Sequence, residues 1–212
     1  MKHIYQKGSS PNPVTFLLLH GTGGTEYDLI PVANRISSTS NVLSIRGEVQ
    51  ENGMSRFFRR LAEGVFDEED LLFRTEELNG FIDQAANQYE FDRQNVVAIG
   101  YSNGANIAGS LLFHCKNSLR GAILFHPMVP RRGVTLPELS QTPIFIGAGT
   151  NDLISTSHEI EELLVLLEGA GASVEVNWER AGHQLTHSEI DEAAEWYKEH
   201  FLVGSREMTI RD

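Results

Sequence analysis

Six short apolar runs recur along this chain: "VTFLLLH" (14–20), "NVLSIRG" (41–47), "NVVAIGY" (95–101), "GAILFHP" (121–127), "PIFIGAG" (143–149) and "SVEVNWE" (173–179). Most are nearly continuous in Val, Ile, Leu and Phe, the pattern of strands buried on both faces in a parallel sheet covered by helices. "SVEVNWE" alternates, which suits a less buried strand near one edge, and "KHIYQ" (2–6) suits an antiparallel edge strand. Helical patterns lie between the runs. They cover 25–37, with Thr25 as a candidate N-cap, then 67–89, the stretch after residue 102, 155–171 and 187–200. Strand alternating with helix predicts βαβ units: an α/β class, doubly wound, mostly parallel sheet with helices on both faces. The ligand site of such a sheet lies beyond the carboxyl ends of its strands.

The 212 residues suit one domain, 1–212, with a single core. No apolar run is long enough to cross a bilayer, and "MKHIYQKG" lacks the apolar core of a secretory signal. The single cysteine, Cys115, excludes an internal disulfide framework and fits a cytoplasmic location. A formal net charge of −12 argues against nucleic acid or anionic lipid as partner through a general field. Nothing in the pattern fixes the oligomeric state, and a homodimer is compatible with it.

The run 95–101 leads into "GYSNGA", a serine between two glycines where a strand stops and a helix starts. G-x-S-x-G in that setting is a nucleophile elbow: a tight, strained turn that lifts the serine hydroxyl above the sheet edge. Ser102 is the candidate nucleophile. An unaided hydroxyl is a poor nucleophile at neutral pH, so a base and an acid that orients it must follow, in the chain order Ser, Asp or Glu, His. "PIFIGAGTNDLIS" supplies Asp152 just after a strand, where an Asx-turn is the competing explanation. "NWERAGHQLTH" supplies His183 in a loop before the final helix, and His187 competes less well at the helix start.

The third requirement is an oxyanion hole. "LLLHGTGG" (17–24) ends a strand in a flexible turn, so the backbone N–H of Thr22, with Gly23 as an alternative, joins that of Asn103 as donors. His20 suits a loop-fixing role. His126 ends a strand and is a candidate lining residue of the substrate pocket. Cys115 suits a small core residue and His114 a helix end. No His/Cys/Asp cluster has metal-ligand spacing and no phosphate-binding lysine loop is present, so neither metal nor cofactor is expected. The stretch 46–66, "RGEVQENGMSRFFRRLAEGVF", reads as a long loop leaving the carboxyl end of a strand. It is expected either to wall the pocket, with Phe57 or Phe58 facing substrate, or to be a structural loop held by its aromatics. Arg56, Arg59 and Arg60 are available to an anionic group or to surface carboxylates.

In this order, "LHGTGG", "GYSNGA", "GTNDLIS" and "GHQLT" resemble the α/β-hydrolase superfamily over residues 14–201. More narrowly they resemble the small carboxylesterase/phospholipase group that includes acyl-protein thioesterases. The 46–71 segment is similar to a bacterial branch of that group, some members of which are associated with hydroquinone and quinone stress. The resemblance implies Ser102 as nucleophile, His183 as base, Asp152 as acid and the N–H groups of Thr22 and Asn103 as the oxyanion hole. It implies a cofactor-free serine hydrolase acting on a small-molecule carboxylic ester. Many relatives insert a cap domain after the strand that here ends near His126. Only residues 127–142 stand in that place, so no separate cap is expected. The thioesterase branch usually has Gln where this chain has Asn103, which leaves the choice of ester or thioester open. The alternatives are a thioesterase or lysophospholipase-type acyl hydrolase with the same triad, or a ligand-sensing module on the same scaffold.

Overall fold

The computed structural model describes residues 1–202. In chain order its elements begin with β1 (His3–Gln6), β2 (Thr15–Leu19), α1 (Ile30–Ile36) and β3 (Asn41–Ile45). Four short strands follow: β4 (Val49–Glu51), β5 (Met54–Arg56), β6 (Arg60–Ala62) and β7 (Val65–Phe66). Then come α2 (Glu68–Tyr89), β8 (Val96–Tyr101), α3 (Asn103–His114), β9 (Gly121–Phe125) and β10 (Pro143–Gly149). The chain continues through α4 (Ser157–Gly169), β11 (Ser173–Glu179), α5 (His187–Tyr197) and a π-helical turn, Lys198–Leu202.

The main sheet has seven strands in the order β1-β3-β2-β8-β9-β10-β11. β1 pairs antiparallel with β3, and every other neighbour pair is parallel. The fold is that of the α/β hydrolases, with β1 and β11 at the two edges as their alternating sequences require. Side chains of a strand point to opposite faces in turn. Leu17 and Leu19 of β2 accordingly enter one core layer with Leu71, Leu78, Leu111 and Leu163 from α2, α3 and α4. Phe16 and Leu18 enter the other, with Val32, Ile36, Ala193 and Tyr197 from α1 and α5.

Two expectations require correction. The first helix starts at Ile30, with Pro31 in its first turn, rather than after Thr25. Thr25 instead closes a turn, its hydroxyl donating to Asp28 Oδ1 at 2.7 Å and its carbonyl accepting the Asp28 N–H. The second concerns 46–66, which is two β-hairpins and not an irregular loop. β4 and β5 pair across Asn52 and Gly53, which both have positive φ, 51° and 79°. That is the backbone a two-residue hairpin turn needs, and Asn-Gly favours it.

The start of α3 packs closely against the carboxyl ends of β2 and β8. A Cβ on Gly104 would stand 1.9 Å from the Leu19 carbonyl oxygen, and one on Gly100 would stand 2.6 Å from the Gly104 carbonyl oxygen. Both neighbours are backbone and cannot swing away. Gly104→Ala should therefore destabilise the fold by about 3 kcal/mol or more. Gly80 lies within α2, and a methyl group added there would meet nothing within 4 Å, so Gly80→Ala should stabilise by about 0.5–1 kcal/mol. Urea unfolding midpoints should move in opposite directions for the two variants.

Candidate active site

Ser102 sits between β8 and α3 at φ 51°, ψ −114°, a strained conformation for a residue with a side chain. Its N–H donates to the Phe125 carbonyl at 2.9 Å, and its carbonyl accepts the Asn106 N–H at 2.9 Å, so both sides of the turn are held. The hydroxyl projects beyond the sheet edge at the N-terminus of α3.

His183 lies in the loop between β11 and α5. Its backbone carbonyl accepts the Tyr101 hydroxyl at 2.7 Å, which fixes the loop against the end of β8. Its Nδ1 is 2.7 Å from Asp152 Oδ2 and its Nε2 is 2.8 Å from Ser102 Oγ. An ionised carboxylate only accepts, so Nδ1–H donates to Asp152 and Nε2 accepts the serine O–H. Asp152 follows β10 and is buried. Its other oxygen, Oδ1, accepts the N–H groups of Ile154 at 2.8 Å and Ser155 at 3.0 Å. The Asx-turn and the contact with His183 thus coexist on the two oxygens of one carboxylate. Burial pushes the Asp152 pKa up, but the hydrogen bonds from His183, the Ile154 amide and His126 hold it below the ordinary carboxylate value.

A cavity of about 230 Å³ opens beside Ser102, walled by Thr22, Arg56, Arg60, Phe66, Met128 and His183 among others. Asn103 also lines it. Neither the Thr22 nor the Asn103 amide has a hydrogen-bond acceptor among the described residues. Gly23 is different: its N–H donates to the Ser55 carbonyl at 2.8 Å, so it is not free to serve as the alternative donor. His20 is buried and does fix the loop, its Nε2 accepting the Gly47 N–H at 3.0 Å and its Nδ1 donating to the Gly21 carbonyl at 2.6 Å.

The hairpin β4–β5 grips this region through three successive residues. Ser55 accepts from Gly23, Arg56 Nη1 donates to Thr22 Oγ1 at 2.6 Å, and the Phe57 N–H donates to Asn103 Oδ1 at 2.7 Å. Phe57 and Phe58 are therefore not pocket residues, which corrects the pocket-wall reading in favour of the packing one: they are 4% and 0% exposed and belong to the core under α2. Their neighbour Phe66 reaches the cavity, its ring set edge-on against Phe58 at 5.0 Å. His126 does not line the cavity either, contrary to its placement at a strand end. It is fully buried behind Asp152, its Nδ1 3.0 Å from Asp152 Oδ2. His187 is exposed at the start of α5. Folding also gathers ligand-type atoms of His126, Asp152 and His183 within 4.8 Å of one another, a proximity hidden by their separation in sequence. Here the two imidazoles meet one carboxylate oxygen at hydrogen-bond distances.

Residues 58–200 match the Dienelactone hydrolase family. The chain belongs to this family of hydrolases. It is 57% identical over 199 residues to MhqD of Bacillus subtilis (strain 168), a hydrolase by name, with 94% of this chain and 98% of MhqD covered. Among solved structures, the Bacillus cereus carboxylesterase superposes with a TM-score of 0.94 at 62% identity over 95% of both chains. YahD, solved with malic acid, superposes at 0.90 with 31% identity, covering 94% of this chain and 98% of YahD. No helix among the described residues of this dienelactone hydrolase family member is long and apolar enough to cross a membrane.

Asn103→Ala would leave the buried Phe57 N–H without its acceptor, a loss of about 1–3 kcal/mol. Hydrogen exchange should show the Phe57 amide losing protection in that variant more than amides in β8 do.

Proposed function

We propose that this chain hydrolyses small carboxylic esters through an acyl-enzyme on Ser102. The observation that carries this reading is the unbroken line from Ser102 Oγ through the His183 ring to Asp152 Oδ2, at 2.8 and 2.7 Å. Ser102 Oγ attacks the ester carbonyl carbon as His183 Nε2 takes its proton. Asp152 holds the imidazole in the tautomer that leaves Nε2 free, and stabilises the imidazolium that forms. The carbonyl oxygen gains negative charge and turns toward the unoccupied N–H groups of Thr22 and Asn103, each donor contributing about 3 kcal/mol. His183 returns the proton to the alcohol as the carbon–oxygen bond breaks. It then takes a proton from the water that attacks the acyl-serine carbon, and returns it to Ser102 Oγ as the bond from that carbon to Oγ breaks and the acid leaves. No step calls for a metal or cofactor.

The cavity supports a small substrate. At about 230 Å³ it lies below the usual ligand-site range of about 300–1,000 Å³, and Arg56, Arg60 and Glu63 share its lining with Phe66, Met128 and Ile154. YahD, a relative solved with a small hydroxy-diacid, agrees with that scale. Long-chain and lysophospholipid-type acyl groups fit this space poorly.

Ser102→Ala should lose at least about 1,000-fold in kcat while keeping the unfolding midpoint near that of the parent. A fluorophosphonate probe should label Ser102 alone. With p-nitrophenyl esters, kcat/KM should fall steadily from acetate or butyrate to decanoate. Retained turnover in pure Ser102→Ala protein would remove the nucleophile, and a preference for decanoate would remove the small-substrate reading.

A further inference from the structure

Behind Asp152 lies a second, buried histidine that the ester mechanism leaves unused. His126 is 0% exposed, as is Glu189 of α5. His126 Nδ1 faces Asp152 Oδ2 at 3.0 Å, and Nε2 faces Glu189 Oε1 at 3.2 Å. The second contact is an ion-pair distance without hydrogen-bond geometry, and neither His126 Nε2 nor Glu189 Oε1 has a hydrogen-bond partner among the described residues. Ionised carboxylate oxygens accept and do not donate, so a ring between two such groups can donate to both only when both of its nitrogens carry protons. The surroundings hold the ring in place. Its backbone N–H donates to the Gly147 carbonyl at 2.8 Å, and its carbonyl accepts the Ser155 hydroxyl at 2.8 Å. Its φ is 52°, left-handed backbone that a histidine adopts at some cost. Gly147 leaves the slot through which Glu189 arrives: a Cβ there would meet Phe125 at 2.8 Å and Glu189 Oε1 at 3.1 Å. Glu189 is itself aimed by a capping box, Oε2 accepting the Thr186 N–H at 2.9 Å.

We infer that His126 is a positioning residue, held as an imidazolium between Asp152 and Glu189, that sets how tightly Asp152 binds the charged form of His183. The inference rests on the reading of Ser102, His183 and Asp152 as a triad. The groups facing His126 are Asp152 from the end of β10, Glu189 from α5, the His183 ring at 5.3 Å between centroids and the Tyr101 ring at 5.9 Å. Burial opposes charge on His126, but Glu189 and Asp152 outweigh it and hold its pKa above the ordinary imidazole value. A positive His126 then stands between the carboxyl groups of Glu189 and Asp152 along one buried line. A cation on the far side of Asp152 weakens the pull of that carboxylate on a proton at His183. Asp152 Oδ2 is at the same time held from two directions, by His126 Nδ1 at 3.0 Å and by His183 Nδ1 at 2.7 Å.

Two variants and one measurement on the unaltered protein test this. His126→Asn suits the left-handed backbone, and the double variant His126→Asn/Glu189→Gln also removes the buried carboxylate that the first leaves unpaired. Both delete the cation. The acid limb of the kcat/KM profile on a p-nitrophenyl ester should move up by about one pH unit. Below the limb, activity should accordingly fall about tenfold relative to the parent, with a smaller change on the alkaline plateau. If His126 is neutral and only packs, the limb stays where it is and any loss is uniform across pH. In the parent protein, nitrogen-15 NMR of the histidine rings should show His126 protonated on both nitrogens at pH 8. A neutral His126 there overturns the proposal whether or not the variants fold. This readout needs no turnover, so it fails separately from the triad, which Ser102→Ala tests.

Discussion

The site is built outward from one steric fact: the N-terminus of α3 packs directly on the carboxyl end of β2. The 1.9 Å that would separate a Gly104 Cβ from the Leu19 carbonyl leaves no room for any side chain there. That approach turns the backbone at Ser102 into positive φ, and the turn survives because Phe125 and Asn106 hydrogen-bond both of its peptide flanks. Ser102 thereby stands at the edge where the loops after β2, β10 and β11 also end. Thr22, Asp152 and His183 reach it from those three loops. Parallel strands in one register put their carboxyl ends on one side, so residues far apart in sequence share a rim a few ångströms wide.

Much of this was legible because it depends on local pattern. The buried strands carry Val, Ile, Leu and Phe on both faces, and β1 and β11 declare themselves as edges by alternating. The residues Ser102, Asp152 and His183 follow β8, β10 and β11 in the order an elbow-type sheet requires, and the structure brings them within hydrogen-bond reach. The hairpin β4–β5 was also written in the sequence, since Asn52-Gly53 is a strong short-range turn signal, but the flanking "EVQE" and "MSR" lack the apolar alternation that marks a strand. A three-residue strand held mostly by its turn has little pattern to show.

What stayed hidden depends on long-range packing. Nothing local distinguishes a phenylalanine that faces substrate from one that faces the core. Phe57 and Phe58 turn inward because the hairpin is tied down through Ser55, Arg56 and the Phe57 amide, and Phe66, at the end of the second hairpin, is the ring left at the cavity. Glu189 shows the same limit from another side. "THSE" reads as a capping box from Thr186, and the structure has one, but a capping box uses only one carboxylate oxygen. Where the other oxygen points is decided by Gly147, from a strand on another part of the chain. His126 could be placed at the end of β9 from sequence, yet whether it looks out at the cavity or back at Asp152 depends on its own positive φ.

The absence of a large insertion between β9 and β10 gives the hairpins their importance. With only residues 127–142 in that connection, the cavity takes its walls from β5, β6 and β7 together with the rim loops. These are short elements, β5 and β6 with one arginine each, and His183 keeps 21% of its side chain exposed. Under the proposed mechanism the acyl-serine would be formed in a small cavity of mixed polar and apolar lining beside a partly exposed His183. Water is then the acceptor present at highest concentration, and the imidazole that must activate it is already in contact with solvent. A deep apolar cap would exclude water and hold long acyl chains, so it would favour larger substrates and transfer to bound acceptors. The compact rim is consistent with the proposed hydrolysis of small acyl groups. It also places the burden of orientation on groups beneath the surface: Arg56 and Asn103 on the oxyanion side, and Asp152 with its buried neighbours on the side of the base.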